Sequence, residues 1–108
     1  MKPLVSFSKF SQQVWFLTKK IPRGKVSTYG IIAQALKKPK AARAVGKALH
    51  KNPYAPIVPC HRVIKSDGKI GGFAGGRKNK ENLLTKEGVQ IVNHQVVPLK
   101  KFIYYFKT

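Results

Sequence analysis

The segment Pro59-Cys60-His61-Arg62-Val63 holds the only cysteine in the 108-residue chain. A single thiol forms neither an internal disulfide nor a multi-cysteine metal site. It serves either as an inert core residue or as a nucleophile. The thiolate is the reactive form, and a free thiol is only roughly 3% ionised at pH 7. Cationic neighbours favour ionisation, and a positioned base can take the proton. His61 and Arg62 supply one group of each kind. Neighbouring side chains diverge in helices and strands alike, so His61 would reach the sulfur through a bridging water.

A carboxylate that orients the imidazole would complete a Cys–His–acid relay. The chain has three acids to offer. Asp67 suits the turn Ser66-Asp67-Gly68. Glu81 reads as a first-turn helix residue, where negative charge is favoured, and Glu87 as a last-turn residue, where it opposes the helix dipole. An acid kept in the least favourable of the three positions suggests a partner that holds it there, which selects Glu87. The plainer reading remains open on pattern alone. A lone cysteine amid Ile and Val is more often a small buried hydrophobe. Asn52 before Pro53 is most simply a helix terminator, and Tyr29 and Phe73 are most simply core aromatics.

The charge balance narrows the partner. Lys and Arg number 22 against 3 Asp and Glu, a formal net charge of +19. Self-repulsion on that scale destabilises a compact state unless a polyanion or salt offsets it. A phosphate backbone is the natural counterpart, and RNA fits the charge as well as DNA. No long amphipathic basic helix favours a membrane surface, and no stretch is long enough to span one. The N-terminal pattern is not that of a signal peptide. With a single cysteine, this leads to the expectation of an intracellular protein, cytoplasmic or nuclear. Length and an apolar fraction of 43% allow one small globular domain.

The elements that must position these residues follow from spacing. Phe10, Val14, Leu17 and Ile21 recur at helical intervals, with Ser6 or Ser8 as the cap and Pro22 as the stop. Val26-Ser27-Thr28 is a short extended entry, and Thr28 caps a second helix over roughly Tyr29–Lys37. A third helix over about Ala41–Lys51 ends before Asn52-Pro53. The two suggest a helix-turn-helix. Ala41, Val45, Ala48 and Leu49 fall on the inner face of the third helix. Ala42, Arg43, Gly46, Lys47 and His50 fall on the outer one, which is small and basic, as close approach to DNA requires. Arg62–Lys65 and Lys69–Gly72 flank Asp67-Gly68 as a small β hairpin. Gly71-Gly72-Phe73-Ala74-Gly75-Gly76 is a glycine-rich loop without the phosphate-loop ending. A helix near Arg77–Glu87 closes at Gly88. Residues 1–88 then form the principal domain. The basic, aromatic tail 89–108 reads equally as strand, helix or partner-binding segment, and is expected to pack on that domain.

Several of these segments together resemble the O6-alkylguanine-DNA alkyltransferases, the methylated-DNA–protein-cysteine methyltransferases. Pro59-Cys60-His61-Arg62-Val63-Ile64 is similar to that family's active-site motif. Ile21 to Gly30, Ala41 to Gly46, Asn52-Pro53, Gly71 to Gly76, Lys80, Leu83-Leu84 and Glu87-Gly88 match its further motifs in order, over about residues 7–88.

The resemblance implies a mainly α, winged helix-turn-helix-like domain. It implies transfer of an alkyl group from O6 of guanine, less readily O4 of thymine, to Cys60 after base flipping through the minor groove. His61 would help form the thiolate, Glu87 would orient His61, and Asn52 would hold the turns around the site. Arg43 would fill the gap left by the extruded base, beside Ala42, Gly46 and Lys47 on the DNA face. Tyr29 would promote rotation of the nucleotide. Carbonyls of Cys60 and Val63 and the amide of Ala74 would read the base, with Phe73 where the family commonly has Tyr. The family's metal site, where known, belongs to an additional N-terminal domain, so no metal or other cofactor is expected, and the partner is duplex DNA bound by a monomer. Alkyltransferase-like proteins share the scaffold and recognise alkylated DNA without repairing it, but replace the cysteine; they supply the alternative reading.

Overall fold

In the computed structural model, which describes residues 7–73 and 75–107, Ser8 opens the first helix by accepting a hydrogen bond from the Ser11 amide. The alternative cap, Ser6, lies outside the described residues. This helix, α1, spans Lys9–Thr18. It is shorter than its apolar spacing suggested, and Ile21 is buried just beyond it on a tightened turn. Trp15 anchors α1 to the rest of the molecule. Its Nε1 donates to the Ala48 carbonyl at 2.8 Å, in the buried interior.

Strand β1 is Ser27–Thr28, and the Thr28 hydroxyl accepts from the Ile31 amide to cap α2, Tyr29–Ala35. Lys37 takes a left-handed conformation (φ 62°) and turns the chain towards α3, Ala42–His50. These two helices are the helix-turn-helix. Val45, Ala48 and Leu49 of α3 are buried against α1 and α2, while Arg43, Lys47 and His50 are exposed. The inner and outer faces are those the sequence spacing assigned.

A correction concerns the hairpin. The Asp67-Gly68 turn forms, with the Lys65 amide bonded to the Lys69 carbonyl and the Asp67 carboxylate accepting from the Lys69 amide. Its outgoing arm, however, pairs elsewhere: β2, Val63–Ile64, lies parallel to β1, with Ser27 opposite Val63. Lys69 on the returning arm bridges to Gln95 instead. Val63, Ile64 and Ile70 are all fully buried. An isolated two-stranded ribbon could not cover both of its faces, so each arm takes a partner that seals it.

The hairpin of the fold lies in the tail, where β3, Ile91–Val92, and β4, Gln95–Val96, pair antiparallel. Asn93 and His94, at φ 50° and 63°, make a two-residue turn of the kind that matches strand twist.

Helix α4, Arg77–Lys86, follows the glycine-rich loop, and Gly88 at φ 93° releases the chain from it. Glu87 is its C-cap rather than a last-turn residue, and Glu81 lies just past the first turn rather than in it. A short α5, Leu99–Phe102, precedes a bridge from Ile103 to Val26, where the Tyr104 amide donates to the Val26 carbonyl. Val96 and Phe102 of the tail thereby join Val26, Ile64, Ile70 and Leu84 in a second core beside that of α1–α3. The architecture is mainly helical and helix-turn-helix-like, and among the described residues no helix is long and apolar enough to cross a membrane.

Replacing Trp15 by Phe keeps most of the ring packing but leaves the Ala48 carbonyl without its donor. An unsatisfied buried acceptor costs about 1–3 kcal/mol, so Trp15→Phe should lower the urea-unfolding free energy by that amount. A loss under about 0.5 kcal/mol would show that the bond contributes little.

Candidate active site

Pro59 leads into a 3₁₀ turn over Cys60–Arg62. The Cys60 amide bonds back to the Val58 carbonyl, and the Val63 amide to the Cys60 carbonyl. Asn52 steadies the segment before the turn, since its Nδ2 donates to the Val58 carbonyl and its Oδ1 accepts from the Tyr54 amide, both at 2.9 Å. Cys60 is half-buried, not sealed. It lines a cavity of about 50 Å³ with Tyr29, Gly46, Leu49, His50, Gly72 and Phe73. That volume admits water but not a purine.

The turn brings two side chains, His61 and Arg62, to one carboxylate. His61 Nε2 lies 3.1 Å from Glu87 Oε2, and Arg62 grips the same carboxylate through Nε to Oε1 at 2.9 Å and a terminal nitrogen to Oε2 at 2.8 Å. The other Arg62 terminal nitrogen donates to the Ile21 carbonyl at 2.9 Å. Burial alone would push the Glu87 carboxyl up, but the hydrogen bonds from Arg62 and His61 outweigh it and hold it below the usual value. Burial pushes His61 down. The Glu87 hydrogen bond and charge resist this, and the charges of Arg62 and Lys80 reinforce it. The imidazole is therefore neutral at neutral pH. A carboxylate only accepts, so Nε2 carries the hydrogen and Nδ1 keeps a free lone pair. That is the tautomer a general base needs.

Two more groups complete the electrostatics. Lys80 is 1% exposed, the most deeply buried charge in the chain among the described residues. Its Nζ donates to the Gly72 carbonyl at 3.2 Å and sits 5.8 Å from the centre of the Tyr29 ring. Burial lowers its pKa to about 8, partly opposed by the charge of Cys60. Burial, together with the Cys60 charge, raises the Tyr29 phenol above its ordinary value, so it stays protonated as a donor. Gly46 faces Tyr29 closely: a Cβ there would lie 3.9 Å from the ring.

The sequence-selected residues thus divide. Cys60, Tyr29, Gly46 and Phe73 meet at the cavity, and His61, Glu87 and Asn52 stand behind its wall. Ala42, Arg43 and Lys47 lie with Lys40 on the shallow outer surface of α3. Val63 is fully buried in β2 and does not line the cavity. Ala74 lies outside the described residues. Sequence reasoning assigned no role to Lys80 and treated Arg62 only as a positive neighbour. Lys80 stands one helical turn before buried Leu84, a spacing that would have flagged it. Among the described residues no cluster of three His, Cys, Asp or Glu could hold a metal ion.

The family described as 6-O-methylguanine DNA methyltransferase, DNA binding domain, matches residues 9–89. The chain belongs to that family. Its methyltransferase relatives include the methylated-DNA–protein-cysteine methyltransferase of Methanosarcina acetivorans, 52% identical over 81 residues, which are 75% of this chain and 52% of that protein. The Shigella flexneri protein of the same name is 49% identical over 79 residues, 73% of this chain and 46% of that protein. The chain spans about half the length of these curated relatives. Mycobacterium tuberculosis OGT in complex with DNA superposes with a TM-score of 0.73 at 48% identity, covering 76% of this chain and 51% of that one. S. pombe Atl1, in complex with damaged DNA containing O6-carboxymethylguanine, gives a TM-score of 0.80 at 35% identity, covering 93% of this chain and 98% of that one.

The network behind this methyltransferase-family site makes the fold acid-sensitive. Both His61 and Glu87 have lowered pKa values when folded, so the unfolded chain binds more protons on acidification. The His61 contribution is complete above its unfolded value of about 6.5 and fades as pH falls towards the folded one. The Glu87 contribution is complete above about 4.5 and is lost as pH falls through its own folded value. Glu87→Gln should cost about 1.5–3 kcal/mol at pH 7, because the half-buried Arg62 loses its charged hydrogen-bond partner. It should also flatten the stability profile below about pH 4.5, a change that urea titrations across the acid range would reveal. An unchanged acid limb would mean that Glu87 is not the group titrating there.

Proposed function

We propose that the protein repairs alkylated DNA directly, by moving the alkyl group from O6 of guanine, and less readily O4 of thymine, onto Cys60. The observation that carries this reading is a half-buried thiol on a cavity wall, with a neutral imidazole next to it in the chain that is held by Glu87, which Arg62 grips in turn. O6 is enclosed in the duplex stack, so the base has to be extruded, and alkylation already weakens its pairing. The small, basic outer face of α3 suits entry into the narrow minor groove, with Arg43 filling the space that the base vacates. Phe73 and its glycine-rich loop would yield to admit the purine.

The Cys60 thiol would lose its proton, through water, to Nδ1 of His61. Sulfur attacks the alkyl carbon, an S–C bond forms, and the C–O6 bond breaks with its electron pair going to guanine. Guanine takes up one proton as it departs, and the Tyr29 phenol is the donor in reach of the cavity. Lys80 supplies positive charge beside the developing thiolate. The product is a stable thioether, so each molecule acts once, as a monomer on duplex DNA and without a cofactor.

A second reading, recognition of alkylated DNA without transfer, is favoured by the match to Atl1 across nearly all of that protein's length. Mass spectrometry of the intact protein after incubation with duplex DNA containing O6-methylguanine separates the two. Replacement of the thiol hydrogen by methyl is expected at Cys60 and not in Cys60→Ala. Bound DNA with no change in mass over hours would support recognition alone.

Arg43→Ala is expected to slow repair of duplex DNA at least tenfold while sparing alkylation by free O6-benzylguanine, because only the duplex requires a filled stack. This is about 1.4 kcal/mol of transition-state stabilisation. Equal slowing on both substrates in single-turnover kinetics would remove Arg43 from base extrusion.

A further inference from the structure

A wide concavity lies beside the cavity of Cys60, not on it. This cleft of about 980 Å³ runs between the 65–72 segment, the first turns of α4 and the turn of the β3–β4 hairpin. Lys65, Lys69, Arg77 and Lys78 line it. Its one carboxylate, Glu81, is already occupied, since His94 from the hairpin turn sits 2.7 Å from Oε2 and Arg77 4.0 Å from the same atom. Asp67 stands at the edge, 4.0 Å from Lys69 Nζ, so four cations share a concave surface with two carboxylates, and Lys65 and Lys78 have no acid partner among the described residues. The first turn of α4 adds partial positive charge, because its cap is Gly76, with no side-chain hydrogen bond and no acidic residue behind it. The hairpin wall stands beyond residues 9–89, the part of the chain that the family description matches.

Gly72 connects this cleft to the chemistry, because it lines both the cleft and the cavity of Cys60. Gly46 and His50, which also line that cavity, belong to α3, whose outer surface carries Arg43 and Lys47 beside Lys40. The cavity of the thiol thus shares Gly72 with one basic surface and the helix α3 with another. We infer that the cleft between α4 and the tail hairpin is a second DNA-backbone site, which holds phosphates of the strand to one side of the extruded nucleotide while α3 holds the other side. Fixing the backbone on both sides of a nucleotide resists its return to the stack. The inference rests on the repair or recognition reading only in that the ligand is duplex DNA.

Lys69→Gln/Lys78→Gln removes two charges from the cleft, and Lys9→Gln/Lys19→Gln removes two from α1 and its C-cap, which do not line it. Affinity for an unmodified duplex is read by fluorescence anisotropy across a salt series. Each contacted phosphate contributes about 0.9 to the log–log salt slope, so the cleft variant should flatten the slope by about 1.8 and lose roughly tenfold or more in affinity at 0.1 M salt. The α1 variant should change the slope little. Methylphosphonate substitution along one strand gives an independent check. Neutralised phosphates on one side of the target base should weaken the parent protein and not the cleft variant. Equal losses in the two charge-matched variants, or equal methylphosphonate sensitivity, would overturn the inference. Failure of the parent protein to alkylate itself would instead count against the proposed repair activity, and would leave the slope comparison intact.

Discussion

The Glu87 carboxylate is the interaction on which the site depends. It accepts from Arg62 at both oxygens and from His61 at one, and Arg62 in turn reaches the Ile21 carbonyl. One side chain thereby ties the end of α4 to the turn that carries Cys60 and to the segment after α1. The two hydrophobic cores meet there: Val63 belongs to one and Ile64 to the other. At the end of a helix a carboxylate opposes the dipole, a penalty of well under the energy of a bidentate guanidinium pair in a partly buried place. The local conflict is what makes the position informative. Glu87 is tolerated as a C-cap because its partners come from a distant turn.

Lys80 presents the same logic with the sign reversed. Removing an ammonium from water is costly, and burial lowers its pKa to about 8. A single carbonyl bond, to Gly72, and the face of Tyr29 are modest compensation. Glu87 is hydrogen-bonded to His61, whereas Lys80 is bonded to Gly72 in the glycine-rich loop. Together they set a neutral base, a protonated phenol and a cation around one sulfur.

Much of this was legible in the residues. The caps Ser8 and Thr28, the inner face of α3 and the release at Gly88 are local signals, and local geometry decides them, whereas α1 ends at Thr18, before the expected stop at Pro22. Glu87 was legible for a different reason: with three acids in the chain, an unfavourable position stands out. Strand pairing was not legible. Val63–Ile64 and the Asp67-Gly68 turn have the pattern of a hairpin, but the partner that buries β2 is β1, 36 residues earlier, and nothing near β2 encodes it. The tail was equally opaque, because its register comes from the docking of Ile103 and Tyr104 on Val26. Lys80 was missed because a lysine in a polar helix reads as solvated until the face it shares with Leu84 is noticed.

The acids of the chain also explain how a charge of +19 coexists with a folded core. Glu87 is held by Arg62 and His61, Glu81 by His94, and Asp67 by the Lys69 amide in its own turn. Each has a partner within the fold, and only Asp67, 4.0 Å from Lys69 Nζ, is exposed on the positive surface. Such a surface repels itself most strongly at low salt, where the screening length is longest. A polyanion that lies across it relieves that repulsion and binds only the folded form, so it stabilises the fold by mass action. Affinity for the backbone and stability of the domain are therefore coupled through the same cations. With DNA as the proposed partner, a substitution that adds a surface acid would favour folding at low salt and weaken DNA binding at once. On that proposal the shortage of acids is a constraint set by the partner, met by giving each remaining carboxylate a partner within the fold.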